Sequence, residues 1–177
     1  VDQIGYLGIP DVASSEGLLT YSGWVSGAAT GAIAGLTAQQ MYDDIAGLIT
    51  AQHNAVNNTP EYMATKVDMP VYVLNTLAVT ILNTAAGAAS VLSALKANFP
   101  GVDFRATFRA DDAGGVGVSH TIAYSTNSEV MKMRIPLPLT VGEIIKQGSF
   151  DYEVDSKYRI AGLDVLEDSG AYILTGL

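Results

Sequence analysis

Cysteine is absent from the 177 residues. That excludes disulfides, thiolate metal sites and thiol catalysis. Histidine occurs twice and tryptophan once. Basic residues are few: 9 Lys and Arg stand against 18 Asp and Glu, for a net charge of −9. A chain so poor in cations lacks the clustered Lys and Arg that grip nucleic-acid phosphates or an anionic membrane. Charge of either sign is scarce, at 15% of residues, where soluble domains carry roughly 25%. Such a surface is either rich in Ser, Thr, Asn and Gly or covered by neighbouring chains. No apolar run reaches the roughly 20 residues of a membrane-spanning helix. The most apolar stretch, Met69 to Leu82, is broken by Pro70, Asn75, Thr76 and Thr80. No basic-then-apolar signal sequence opens the chain. It starts at Val1 rather than Met, as a trimmed, processed or partial sequence would.

The residues present suffice for one domain, or one domain and part of another. Val1 to Gly8 is short and apolar and reads as the tail of a helix. Asp11 to Leu36, rich in Gly, Ser, Ala and Thr, reads as a long irregular connection, with Trp24 as a packing anchor. Thr37 and Gln40 have capping-box spacing. Met41, Ile45, Leu48, Ile49, Gln52 and Val56 then share one helical face, and Asn57-Asn58-Thr59-Pro60 ends the helix. Asp43 and Asp44 fall near the helix start, where the dipole favours negative charge. Met69 to Leu74 reads as a short buried strand, Asn75 to Leu82 as a helical turn or two. A second helix is expected from about Ala88 to Asn98, with Val91, Leu92, Leu95 and Phe99 inward, ended by Pro100-Gly101. Val102 to Arg109 alternates with period two, as a half-exposed strand does. Asp111 to Gly115 is a turn and Ser119 to Ser125 a strand. Val130 to Ile135 is expected to pair back on it. Pro136 and Pro138 demote the next segment to an edge or a loop. The tail is strand-like: Phe150, Tyr152 and Val154 alternate, then come Tyr158 to Ile160, Leu163 to Val165 and Ala171 to Leu174. The sum is an α+β unit, helices early and strands late.

No constellation of catalytic residues stands out. His53 lies on the polar side of its helix, with no His or carboxylate four residues away to complete a metal pair, and is expected to face solvent. His120 follows Ser119, but a triad needs convergence in space, not adjacency, and no Gly-x-Ser-x-Gly elbow is present. Asp111-Asp112 lacks the further oxygen ligands and closing Glu of a calcium loop, so a hairpin turn is the better reading. Gly114-Gly115-Val116-Gly117 lies between strands, where no helix N-terminus would complete a phosphate cradle. Tyr152, Tyr158 and Tyr172 would serve a sugar-binding face, but core or interface packing is the better account.

The order of four stretches is informative. Val1-Asp-Gln-Ile-Gly-Tyr-Leu-Gly8 is followed by Gly17-Leu-Leu19. Trp24 precedes Thr37 to Ala55. Met69-Pro-Val-Tyr-Val-Leu74 precedes Ser90 to Leu95 and Phe99-Pro100-Gly101. Arg134-Ile-Pro-Leu-Pro138 precedes Tyr158 to Val165 and a closing Ala171-Tyr-Ile173. In this order they resemble the C-terminal half to two thirds of bacteriophage major capsid proteins with the Hong Kong 97-type fold, in a prophage-encoded branch of that family. The resemblance covers nearly the whole chain. The arm, extended loop and most of the spine helix that the family places ahead of this region are absent from the sequence, which therefore reads as a fragment, a processed product or a partly ordered one.

The resemblance implies an α+β axial domain, helices on a central antiparallel or mixed sheet, plus C-terminal strands of the peripheral domain. It divides the chain into residues 1–36 (end of the spine helix and connecting loop), 37–137 (axial domain) and 138–177 (strands returning to the peripheral domain). It implies a structural head subunit of a tailed phage or prophage, not an enzyme, with no catalytic, cofactor or metal residue and no cofactor. The partners it implies are other copies in pentamers and hexamers, with scaffold, protease and portal proteins of the head. Double-stranded DNA would be enclosed without sequence-specific binding, and no membrane is involved. Assembly would take place in the bacterial host cytoplasm and the product would be the virion shell. Asp111 to Gly117 is the candidate loop toward the five-fold and six-fold axes. No Lys–Asn pair for the cross-link of some relatives can be assigned. The competing readings are an encapsulin-like nanocompartment shell, a polysaccharide hydrolase and a carbohydrate-binding β module.

Overall fold

The computed structural model of the chain describes residues 16–84, 87–114, 117–134, 137–146, 151–159 and 162–177. The expected helix tail at Val1 to Gly8 lies outside them. A mixed five-stranded sheet forms the centre. Its strands are β1 (Val25–Ala28), β2 (Lys66–Met69), β5 (Asp103–Ala106), β6 (His120–Tyr124) and β11 (Ala171–Thr175). Their spatial order is β1-β11-β6-β2-β5. The outer pairs, β1 with β11 and β2 with β5, are parallel, while β6 runs antiparallel to both neighbours. The sheet thus draws strands from all three segments of the sequence-based division, and the closing strand lies inside it.

Alternation along these strands gives the sheet two buried faces. Val67, Met69, Phe104, Ala123 and Leu174 face three helices, α1 (Ala38–Ala55), α2 (Val71–Val79) and α3 (Val91–Asn98). Ile122, Tyr124, Ala171 and Ile173 face the other way, onto Leu18, Leu19 and Trp24. Met131, Leu163 and Val165 of the antiparallel pair β7 (Met131–Arg134) and β10 (Gly162–Val165) pack against that second face.

Helix α1 forms as its sequence dictates. The Thr37 hydroxyl accepts from the Gln40 amide at 3.3 Å, and Gln40 Oε1 accepts from the Thr37 amide at 2.9 Å. Met41, Ile45, Leu48, Ile49 and Gln52 are its buried residues. Asn57 and Asn58 take left-handed φ of 53° and 55°, a conformation asparagine tolerates, and end the helix. Asp43 and Asp44 lie beyond the first turn. Asp44 instead fastens the preceding loop, accepting from the Thr30 amide at 3.0 Å and its hydroxyl at 2.6 Å.

Several expectations need correction. Strand β2 ends at Met69, and Val71 to Leu74 is helical. Val71 and Val73 carry strand propensity, but Val73 and Leu77 stand one helical turn apart and both are buried. Packing of that stripe overrides local preference. Pro70, with φ −54°, suits a helix entry. Helix α3 starts only at Val91, because the Ser90 hydroxyl caps it by accepting from the Ser93 amide at 3.2 Å. The residues before it form β4 (Gly87–Ser90), which hairpins with β3 (Ile81–Thr84). The period-two run from Val102 ends at Ala106. Phe108 turns into a 3-10 helix and is exposed, under the Arg109 guanidinium at 4.5 Å. The connection expected from Asp11 to Leu36 contains β1, whose apolar content is too low to announce a strand. Strand β7 pairs with β10 rather than back on β6, whose two edges are taken by β11 and β2. After Arg134 the chain forms β8 (Leu137–Lys146), a ten-residue strand that among the described residues pairs with β9 (Tyr152–Arg159) alone. Its other edge has no partner strand among the described residues, which tolerates Pro138 and agrees with the edge reading.

Candidate functional site

The residues considered for chemistry are not brought together. His53 sits on α1 with its ring edge toward Phe99, centroids 6.4 Å apart. It is half-buried rather than solvent-facing, at a cleft of about 500 Å3 that Met63, Phe99, Pro100 and Val102 also line. Its Nε2 is buried without a hydrogen-bond partner. His120 lies across the sheet, its Nδ1 2.9 Å from the Leu19 carbonyl. The Asp111 turn is not the expected hairpin, because it follows a 3-10 helix and β2 lies between β5 and β6; Asp112 Oδ1 accepts from the Gly117 amide at 2.8 Å, and the Gly114 amide donates to the Val118 carbonyl at 3.0 Å. Among the described residues no group of three His, Asp or Glu side chains could hold a metal. Also among them, no helix is long and apolar enough to cross a membrane. Tyr152 is exposed on β9, whereas Tyr172 packs against the helix-side core. The Tyr158 side chain lies outside the description.

Burial holds the His53 imidazole below its ordinary 6.5, and a backbone hydrogen bond with Ala64 opposes this in part. The fold therefore favours the neutral ring. Its contribution is complete above 6.5 and is lost as pH falls toward the depressed folded value. His53→Gln should flatten the fall in melting temperature between about pH 7.5 and about pH 5. Parallel melting curves for the two proteins across that range would contradict the assignment.

The feature that does stand out is the β8–β9 ribbon. The two strands pack chiefly on each other. Val141, Ile144, Ile145, Tyr152 and Val154 are all exposed on it, Ile144 by 69%. Ile144 stands opposite Val154 and Ile145 opposite Glu153, so apolar side chains emerge on both faces. A two-stranded ribbon is marginal by itself in water. One that also exposes this much apolar surface needs cover from outside the described fold. The sequence announced the Tyr152–Val154 half by its alternation. The Val141, Ile144 and Ile145 half was hidden by the prolines before it and by register shifts between Leu137 and Thr140 and between Val141 and Ile144.

This architecture recurs in shells. A chain from the capsid of Myoviridae phage XM1 matches with a TM-score of 0.88 and 44% identity, over 99% of this chain and 60% of that one. A virus-like particle from Pyrococcus furiosus matches with a TM-score of 0.57 at 14% identity, over 87% of this chain and 57% of that one. The fold is accordingly the Hong Kong 97-type shell fold. The family model for the major capsid protein matches residues 1–176, and the chain belongs to that family, one of structural proteins. It spans about three-fifths of the length of the shell proteins it matches. None of the curated proteins matches it.

Proposed function

We propose that this chain builds the head of a tailed phage or prophage, as the larger part of a subunit that closes into an icosahedral shell around double-stranded DNA. The exposed apolar ribbon carries the reading. Covering its five apolar side chains contributes on the order of 5–10 kcal/mol. Association costs about 4–15 kcal/mol in lost freedom. A single contact between two copies is therefore weak, and rings of five and six gain by closing. In the proposed division most of the axial domain comes from residues 37–137, completed by β1 and β11, and the ribbon belongs to the peripheral part. The Asp111 to Gly117 turn is proposed to point to a symmetry axis. Scaffold, protease and portal proteins are the proposed further partners.

Negative-stain electron microscopy of the full-length protein tests this. Uniform shells, or rings of five and six, are expected from the parent, and Ile144→Asp should abolish them without changing the melting temperature of the monomer. A monodisperse parent at every salt and pH would overturn the proposal. Protein cargo inside the shells, in place of nucleic acid, would favour a nanocompartment.

A further inference from the structure

His53 occupies a junction of three segments. It stands in the last turn of α1, and its carbonyl accepts from the Asn58 amide at 2.8 Å where that helix ends. Its ring meets that of Phe99, the residue that closes α3, at an interplanar angle of 74°. The third segment is the chain around Ala64, which leads into β2. Together they enclose the cleft of about 500 Å3, whose walls are chiefly apolar. Titratable side chains on these elements are Tyr42, Asp43 and Asp44 of α1, Glu61 and Tyr62 of the loop, and Lys96 of α3. The adjoining strands add Lys66 and Asp68 of β2 and Asp103 and Arg105 of β5. None of these lines the cleft, so a charge on His53 would have no counter-ion on its walls. The dipole of α1 favours a cation in the last turn, and the Ala64 backbone does the same, yet burial outweighs both and holds the ring below its ordinary 6.5.

The segment across the cleft from His53 is lightly held. Lys96, Ala97, Asn98, Pro100 and Gly101 are exposed, and only Phe99 and Val102 are half-buried. Buried side chains resume at Leu95 on one side and at Phe104 on the other. The turn between them can part from α1 while the core beneath stays closed. Its fastenings are few. The Val102 amide donates to the Phe99 carbonyl at 3.1 Å, and the Asp103 amide to the Thr65 carbonyl at 2.9 Å. The Asn98 side chain donates to the Tyr42 hydroxyl at 2.6 Å.

We propose that His53 is a proton-operated latch: the neutral ring holds the turn over residues 98–102 against α1, and protonation releases that turn while the rest of the subunit stays folded. In the released form the ring reaches water and takes its proton at the ordinary value. The closed form is therefore fully favoured above 6.5, and the preference is lost as pH falls toward the depressed folded value. The latch belongs to the subunit alone and does not rest on the shell-building role.

Amide hydrogen exchange of the full-length protein at about pH 7.5 and about pH 5, corrected for intrinsic exchange rates, tests it. In the parent, the Val102 and Asp103 amides should lose protection by about threefold or more at the lower pH. Amides of β6 and β11 should keep theirs. His53→Gln and His53→Leu carry no charge at either pH, and neither should show the local loss; two variants are used, each checked by melting at pH 7.5, so that one that folds poorly does not decide the matter. Three results overturn the latch: equal protection of the turn at both pH values, the same loss in the variants as in the parent, or a loss spread evenly over β6 and β11, which would mean that the whole subunit opens.

Discussion

Replacing Gln52 by leucine should remove about 3 kcal/mol of stability, although leucine is close to it in size and better suited to a core. Gln52 is fully buried on the apolar face of α1. Its Oε1 accepts from the Ala64 amide at 2.7 Å. Its Nε2 donates to the Tyr62 carbonyl at 2.9 Å and lies 3.3 Å from the Gly170 carbonyl. One side chain thereby ties α1 to the loop that feeds β2 and to the turn that feeds β11. Leucine leaves the Ala64 amide and the Tyr62 carbonyl buried without partners, at about 1–3 kcal/mol each. Against a typical total of about 5–15 kcal/mol this is a large fraction. The urea midpoint should fall while the slope of the transition stays constant. Gln52→Glu separates polarity from hydrogen bonding. It keeps the acceptor for Ala64 but sets a carboxylate against the carbonyl oxygens of Tyr62, Ser169 and Gly170, so its pKa rises. A raised acid binds its proton more tightly in the folded state, so this variant gains stability as pH falls, the reverse of the His53 effect. A leucine variant as stable as the parent would show that backbone shifts or water satisfy the freed groups.

How much of this was legible depends on the range of the interactions. Helix α1 depends on contacts three and four residues apart, so its cap, its buried stripe and its asparagine stop could all be read from Thr37 to Pro60. Gln52 was placed on the inward side by the same periodicity, but its partners lie as far away as Ser169 and Gly170, and no local pattern announces them. Strand β6 was found within a residue at each end because turn residues, Asp111 to Gly115 and Asn127-Ser128, bracket it on both sides. Its partners were not, since β11 and β2 come from distant parts of the chain. The Val71 to Leu74 error is of the same kind: β-branched residues score as strand until Leu77 and the buried stripe it shares with Val73 are taken together. The candidate site was legible as composition only. Low charge left a Ser-, Thr-, Asn- and Gly-rich surface and a covered one equally open, and the family resemblance named the kind of assembly. Which residues are exposed on β8 and β9 required the three-dimensional pairing.

That pairing also explains how a chain with so little charge can remain a defined fold. The central sheet keeps its few charges in register. Lys66 stands beside Asp103 and Asp68 beside Arg105 across the parallel β2–β5 pair. Asp68, fully buried, accepts from the Tyr124 hydroxyl at 2.9 Å and lies 4.0 Å from Arg105 Nε. Opposite signs side by side favour this register over a slip by one residue, which would also turn Val67 and Met69 away from the helices. Specificity inside the subunit is thus partly polar, whereas the proposed contacts between subunits are apolar.

Gly170→Ala should cost about 1–3 kcal/mol, and the same change should cost less in a protein that already carries Val130→Ala. Gly170 ends a short 3-10 turn, Asp168–Gly170, and leads directly into β11. A Cβ there would fall inside the van der Waals shell of Val130 Cγ1. Val130 cannot easily yield. It is fully buried, its carbonyl accepts from the Leu166 amide at 2.9 Å, and a β-branched side chain has few rotamers to move to. The φ of Gly170 is not among the positive values in this chain, so the penalty is steric rather than conformational, and shortening Val130 should relieve it. The displacement also reaches the central sheet. Gly170 accepts from the Ser125 amide at 3.0 Å and lies within reach of Gln52, so pushing it outward loosens the entry to β11, the strand that joins β1 to the rest of the sheet. Urea denaturation of the two single variants and the double variant measures the coupling directly. An interaction of at least about 0.5 kcal/mol in the relieving direction is expected. Strict additivity would mean that the turn, not Val130, gives way.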